Sequence, residues 1–281
     1  MSLKTWFITG CSSGLGQALA KKALESGNSV IATARNKSDL AGFAWSACER
    51  CRILELDVTD PESVREAIGF AGRFDVLVNN AGRGLLGAVE ECEEFQIRDN
   101  FEVNFFGALN LIRACLPMFR EQKSGHIFNF SAAAAISNYP GFGAYGAAKA
   151  ALEALSESLR LELAPFNVRV TIVRPGPFRT DFVGRGLQAA GNHLPAYDST
   201  SGKFARLVRS TDRRQPGNPD LAAKAILEVA ASASPPLRLT LGRYANQKAR
   251  RKNSELEREL CDWEQVGLGV DFELPANGQA S

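Results

Sequence analysis

The chain has 281 residues, 45% hydrophobic and 23% charged, with a formal net charge of +2, which points to one large core with appendages rather than two full domains. A balance so near neutral argues against a nucleic-acid or membrane-surface protein, and the basic cluster at Lys248, Arg250, Arg251 and Lys252 reads as a solvated helix face. No charged-then-apolar leader precedes the first strand and no apolar run is long enough to span a bilayer, so a cytoplasmic protein is expected; six scattered cysteines, with one CxxC at Cys48 and Cys51, and two histidines, His126 and His193, form neither a disulfide framework nor a zinc pattern.

Residues 4–9 (KTWFIT) read as a buried strand. The glycine-rich GCSSGLG follows and leads into a helix over residues 17–25, so free backbone N–H groups and the helix dipole point at one spot suited to a phosphate. Its spacing is TGxxxGxG, carried by Thr9, Gly10, Gly14 and Gly16, with Ser12, Ser13 and Leu15 inside the loop. A second strand, 30–34, ends where dinucleotide folds place the residue that meets the adenosine ribose, about 20 positions after the glycine motif. No carboxylate stands there. Ala34 is followed by Arg35, whose planar fork suits a 2′-phosphate, so NADP(H) is the expected cofactor, with Ser13 as a hydroxyl partner.

A third strand, 52–56, ends at Asp57-Val58, and a helix is predicted behind Asp60-Pro61, where Asp caps and Pro suits the first turn. The fourth strand, 76–78, runs into Asn79-Asn80-Ala81-Gly82, whose small residues let a flat ligand lie close to the backbone. From about Phe95 to Arg120 a long apolar helix is predicted, interrupted by Asn104. A buried Asn must find hydrogen-bond partners, so Asn104 marks a helix irregularity or a site.

Strand five, 126–130, leads into SAAAAISNYPGFGAYGAAK over residues 131–149. A helix starting near Ala144 places Tyr145 and Lys149 four apart on one face. An ammonium fixed beside a phenol favours phenolate and brings a pKa of about 10 closer to the working range. Strand six, 168–173, ends at Arg174-Pro175-Gly176-Pro177, with Thr180 beyond. Residues 182–218 are rich in Gly, Asn, Ser, Pro and Arg and read as a structureless, mobile substrate lid. A helix over 219–231 and a strand over 237–241 complete the sheet; beyond Tyr244 a charged helix carries an apolar stripe at Leu256, Leu260 and Trp263. Alternating helices and near-continuous apolar strands predict an α/β fold, a doubly wound parallel sheet with functional residues at the strands' carboxyl ends. The expected division is a dinucleotide-binding domain over 1–243, its lid at 182–218, and a helical extension over 244–281.

Taken together, TGxxxGxG, Asp57, NNAG at 79–82, Asn104, YxxxK at Tyr145 to Lys149, and Pro175-Gly176 with Thr180 resemble, in order and spacing, the short-chain dehydrogenase/reductase family over about residues 3–241. The resemblance implies a Rossmann-type sheet of seven strands in the order 3-2-1-4-5-6-7 and hydride transfer between a nicotinamide and an alcohol/ketone pair. By the same resemblance Tyr145 is the general acid or base, Lys149 lowers its pKa and holds the nicotinamide ribose, and Asn104 positions a water in the proton relay. Asp57, Val58, Asn80, Ala81 and Gly82 fall on the adenosine side, Thr180 on the nicotinamide side with Pro175 and Gly176. Relatives often associate through the long helices around Asn104 and Tyr145, which implies a homo-oligomer, dimer or tetramer.

One position departs from the family. A serine usually stands thirteen residues before the tyrosine, and position 132 is alanine. Ser131, one residue earlier, would face the other side of an extended strand and can substitute only if the backbone bulges. Two readings follow: an NADP(H)-dependent oxidoreductase acting on an apolar, medium-sized substrate, or an NADP(H)-binding sensor or scaffold protein with weak turnover. An epimerase or dehydratase is disfavoured because the glycine spacing differs from the TGxxGxxG of those relatives.

Overall fold

Trp6 and Ile8 point into one apolar layer and Phe7 into another, the alternation of a strand buried on both faces. The computed structural model describes residues 3–272. Its central sheet holds β1 (Thr5–Ile8), β2 (Ser29–Ala34), β3 (Cys51–Glu55), β4 (Val76–Asn79), β5 (Gly125–Phe130), β6 (Val168–Pro175) and β7 (Arg238–Leu241). All pairings are parallel and the order is 3-2-1-4-5-6-7.

Helices α1 (Gly14–Glu25) and α7 (Pro219–Ala231) pack together on one face, where Leu19, Ala23 and Ile226 meet Trp6 and Ile8. On the other, α2 (Pro61–Ala71), α4 (Gly107–Gln122) and α5 (Gly143–Leu163) cover Phe7, Leu77 and Ile127. Two starts follow from local chemistry. Asp60 accepts from Glu62 N–H at 2.9 Å ahead of Pro61, and Asn218 accepts from Asp220 N–H at 2.8 Å ahead of Pro219.

The predicted irregularity at Asn104 is a π-helical turn, Glu102–Phe106, between α3 (Glu94–Phe101) and α4. Residues 182–218 are not structureless: they hold a short strand, Leu187–Ala189, paired in parallel with Gly84–Leu86, and helix α6 (Ser201–Ser210). Phe204, Leu207 and Val208 recur at helical spacing in α6, an apolar stripe that the polar neighbours obscure. The terminal helix α8 (Arg243–Leu268) starts against the body at buried Ala245 and runs out with Leu256, Leu260 and Trp263 exposed. Residues 273–281 of the expected extension lie outside the described residues.

Candidate active site

The carboxyl ends of β1 to β6 open onto a cavity of about 700 Å³. Gly10 and Gly14 sit at φ +69° and +61°, a conformation that side chains resist, and a Cβ at Gly16 would collide with Gly10 O and the Asn80 amide nitrogen. Ser12, Ser13 and Leu15 border the cavity at the N-terminus of α1. NNAG is docked onto this loop by side-chain bonds. Thr9 Oγ1 accepts from Asn80 N–H at 3.0 Å and Ala81 N–H at 2.9 Å, while the Asn80 amide donates to Thr9 O at 2.8 Å.

At one end the cavity meets Arg35, Asp57 and Val58, at the ends of β2 and β3. Asp57 Oδ1 is held by Thr59, accepting from its N–H at 2.9 Å and its hydroxyl at 2.7 Å. Arg83, which the sequence reading overlooked, faces the same end and pairs with Asp99. Burial pulls its guanidinium below the ordinary value, Arg35 adds repulsion, and Asp57 opposes both. Arg83 went unnoticed because it sits one residue past a glycine turn, with no spacing rule to mark it.

At the other end α5 presents Tyr145 to the cavity with Lys149 one turn behind. Lys149 Nζ donates to Phe130 O at 2.9 Å. A Cβ at Gly82 would meet Asn104 Oδ1 at 2.7 Å and Lys149 Nζ at 3.1 Å, so this glycine, expected on the adenosine side, lies instead at the lysine end and lets the two side chains converge. Asn104 is committed to backbone: its amide donates to Arg83 O at 2.7 Å and Asn100 O at 2.9 Å, and its oxygen accepts from Arg83 N–H at 3.3 Å. Pro175 and Gly176 form a third wall, and Thr180 stands over the glycine loop, 3.4 Å from where a Gly14 Cβ would lie.

Two expectations are corrected. Burial raises the Tyr145 phenol above its ordinary value and pushes Lys149 down to about 8, so desolvation outweighs the expected stabilisation of phenolate by the ammonium. Ser131 is not brought to the cavity. Its hydroxyl donates to Glu153 Oε1 at 2.6 Å and its N–H to Val173 O at 2.8 Å, so the strand does not bulge and alternation turns Ser131 away. Ala132 faces the cavity in its place.

Over Tyr145 lie Phe142, Phe182 and Phe204, the apolar wall that residues 182–218 complete. Tyr139 donates to the Tyr244 hydroxyl at 2.9 Å, which brings the first turn of α8 to the cavity mouth. The cradle at the glycine loop, the cavity's size and the buried Tyr145-Lys149 end together fit a nicotinamide dinucleotide.

The sequence model described as short chain dehydrogenase matches residues 4–190. An oxidoreductase named BOA17 from Botryotinia fuckeliana is 37% identical, covering 94% of this chain and 98% of its own. A 3-ketodihydrosphingosine reductase from Bacteroides thetaiotaomicron is 35% identical, covering 84% and 86%. Among solved structures, a short-chain dehydrogenase from Streptomyces avermitilis superposes with a TM-score of 0.89 at 42% identity, over 96% of this chain and 99% of that one. One from Burkholderia cenocepacia, in complex with NADP, gives 0.74 at 27%, over 93% and 97%.

Proposed function

The chain belongs to the short-chain dehydrogenase family of oxidoreductases, and we propose that it transfers hydride between NADP(H) and the alcohol/ketone pair of an apolar, medium-sized substrate. The observation that carries this is the convergence of Tyr145, Lys149 and Gly82 at one end of the cavity that begins at the glycine loop. NADP(H), rather than NAD(H), is favoured by two guanidinium groups, Arg35 and Arg83, at the adenosine end, where no carboxylate ends β2. Related structures carry NADP in one case and NADH in another, so the choice rests on the two arginines.

The bound dinucleotide would supply the hydride; the chain supplies everything else. Tyr145 holds the exchangeable proton at its hydroxyl, where burial keeps it protonated until a charge develops on the substrate oxygen. Lys149, held by Phe130 O, places a positive charge behind that proton. Phe142, Phe182 and Phe204 exclude water and favour an apolar substrate body. A keto substrate, as in the name of the Bacteroides 3-ketodihydrosphingosine reductase, is compatible with such a site.

A specific observation keeps a second reading in view. With Ala132 on the cavity and Ser131 bound to Glu153, no serine hydroxyl from this strand end reaches the substrate oxygen, so the protein would then bind NADP(H) with weak turnover. NADPH oxidation against a panel of bulky apolar ketones, with NADH as the control, separates the two. Turnover that favours NADPH is expected. Equal rates with NADH would defeat the cofactor assignment, and tight NADPH binding with no turnover across the panel would favour the second reading.

A further inference from the structure

Helix α8 is divided by charge. Residues 243–252 carry five bases, Arg243, Lys248, Arg250, Arg251 and Lys252, and no acid; residues 253–264 carry five acids, Glu255, Glu257, Glu259, Asp262 and Glu264, against the one base Arg258. Within each half, neighbours one turn apart repel, as Lys248 with Lys252 and Glu255 with Glu259. The order also opposes the helix dipole, which favours acids at the start and bases at the end. Segregation leaves α8 one internal ion pair among the described residues, Arg251 to Glu255 at 3.2 Å, while Lys248 lies over the Tyr139 ring at 3.5 Å. Arg250, Lys252, Glu257 and Glu259 have no ion-pair partner among the described residues. The chain itself offers little that offsets the repulsion.

The acidic half also carries the apolar stripe. Leu256, Leu260 and Trp263, at i, i+4 and i+7, are 49%, 66% and 68% exposed, and every described residue from Leu256 onward is exposed. We infer that stripe and charges are covered together by the α8 helix of a second copy of this chain, lying antiparallel across a two-fold axis. A parallel pair would set base on base and acid on acid. An antiparallel one sets each basic half on the other copy's acidic half, twice by symmetry. Helical spacing puts Lys252 and Glu259 on one edge of the stripe and Arg250 and Glu257 on the other. Centred between Ser254 and Glu255, the pairing brings Lys252 of one copy to Glu259 of the other and Arg250 to Glu257, and lays Leu260 over the small side chain of Ala249. A membrane surface is the poorer occupant, because an interfacial helix flanks its apolar face with Lys and Arg, and here five acids would meet anionic headgroups. The pairing face lies on α8, not on the long helices around Asn104 and Tyr145 through which the family resemblance implies association.

Analytical sedimentation of the full chain across a concentration series tests the pairing. The native chain is expected to self-associate, more weakly as salt rises. Lys252→Glu and Glu259→Lys each set like charges together twice per pair, and each alone should weaken the association about tenfold or more. Neither residue borders the cavity. A mixture of the two variants re-pairs opposite charges at both places, so it should associate with near-native affinity, a rescue that requires two copies to meet through these residues. Where the chain also pairs through another face, each variant halves the native mass instead of leaving single copies, and the mixture restores it. Native affinity in both single variants, or no recovery in the mixture, would overturn the pairing. So would a native chain that stays a single copy throughout the series; its binding to vesicles of phosphatidylcholine and phosphatidylserine, lost in Leu260→Glu, would then give the stripe to a membrane.

Discussion

One face of α5 carries two buried polar stretches that differ in how their groups are satisfied. At its start Tyr145 fronts the cavity, and Lys149 behind it has a single bond to Phe130 O; burial disfavours the charged form of both. One turn on, Glu153 takes the Ser131 hydroxyl at 2.6 Å and the Arg174 guanidinium, its Nε at 2.9 and 3.0 Å. Ser156 then accepts from the Asn129 amide at 2.8 Å and donates to Leu152 O at 2.6 Å, while Asn129 Oδ1 accepts from Asn79 at 2.8 Å. Apart from the Asn79 oxygen, which is buried without a partner among the described residues, the second stretch has closed on itself. The first keeps its hydrogen-bonding capacity and its shifted proton affinities for a ligand, the arrangement expected of a reactive site.

Exchanging the roles of the two stretches should therefore fail in opposite ways, and the largest effects are expected here. Tyr145→Phe removes the proton carrier, so kcat should fall about 10²–10⁴-fold while the denaturation midpoint stays near the native value. Glu153→Ala breaks a buried ion pair and leaves Arg174 without its carboxylate. It should lose about 3–5 kcal/mol in urea denaturation, and activity should return when the folded fraction is restored at lower temperature. A Tyr145→Phe protein that unfolds as readily as Glu153→Ala, or a Glu153→Ala protein of native stability, would erase the distinction.

The boundary between the two stretches falls between adjacent residues. Ala132 has φ −157° and ψ 162°, extended backbone that serine adopts equally well. Ala132→Ser places a hydroxyl on the cavity and should raise kcat, by up to about 10² if the developing oxyanion lacks a donor; no change would mean that another group already serves. A smaller and graded effect is expected from pH. Lys149 is pushed down to about 8 from 10.5, so carbonyl reduction should be level below that pH and fall by up to about tenfold per unit above it. Stability should move the other way. Between about 8 and 10.5 the unfolded chain binds more protons at this lysine than the folded one, so its contribution to stability rises with pH. A kcat profile without a break in this range would take the ammonium out of the reaction.

What was legible in the sequence was local. The glycine loop, NNAG and Tyr145 with Lys149 each lie within a few residues of chain, and periodicity alone called for a parallel sheet whose carboxyl ends gather them. The closed stretch was not legible, because Ser131, Glu153 and Arg174 come from three elements, and no spacing rule pairs residues that the sheet order brings together. Depression of the Tyr145 pKa by Lys149 was a pairwise argument, and it missed that enclosure acts on both groups at once. Residues 182–218 depart from the expectation because turn-forming residues dominate their composition, while the apolar residues that seat α6, Phe204 and Ala205, are a minority.

Ser131 offers the smallest and sharpest test, because it sits on the boundary and resembles a catalytic serine in sequence alone. Its hydroxyl is one of two groups holding Glu153, and Arg174 remains if it is removed. Ser131→Ala should therefore lose about 1.5 kcal/mol, the low end for a hydrogen bond to a charged group, much less than Glu153→Ala. Because the hydroxyl points to Glu153 and not the cavity, kcat and the ketone KM should stay within about twofold of native, well inside the 10²-fold change that loss of an oxyanion donor brings. A large fall in kcat with stability unchanged would mean that Ser131 turns to the substrate during the reaction, and the two stretches of α5 would then be coupled through it.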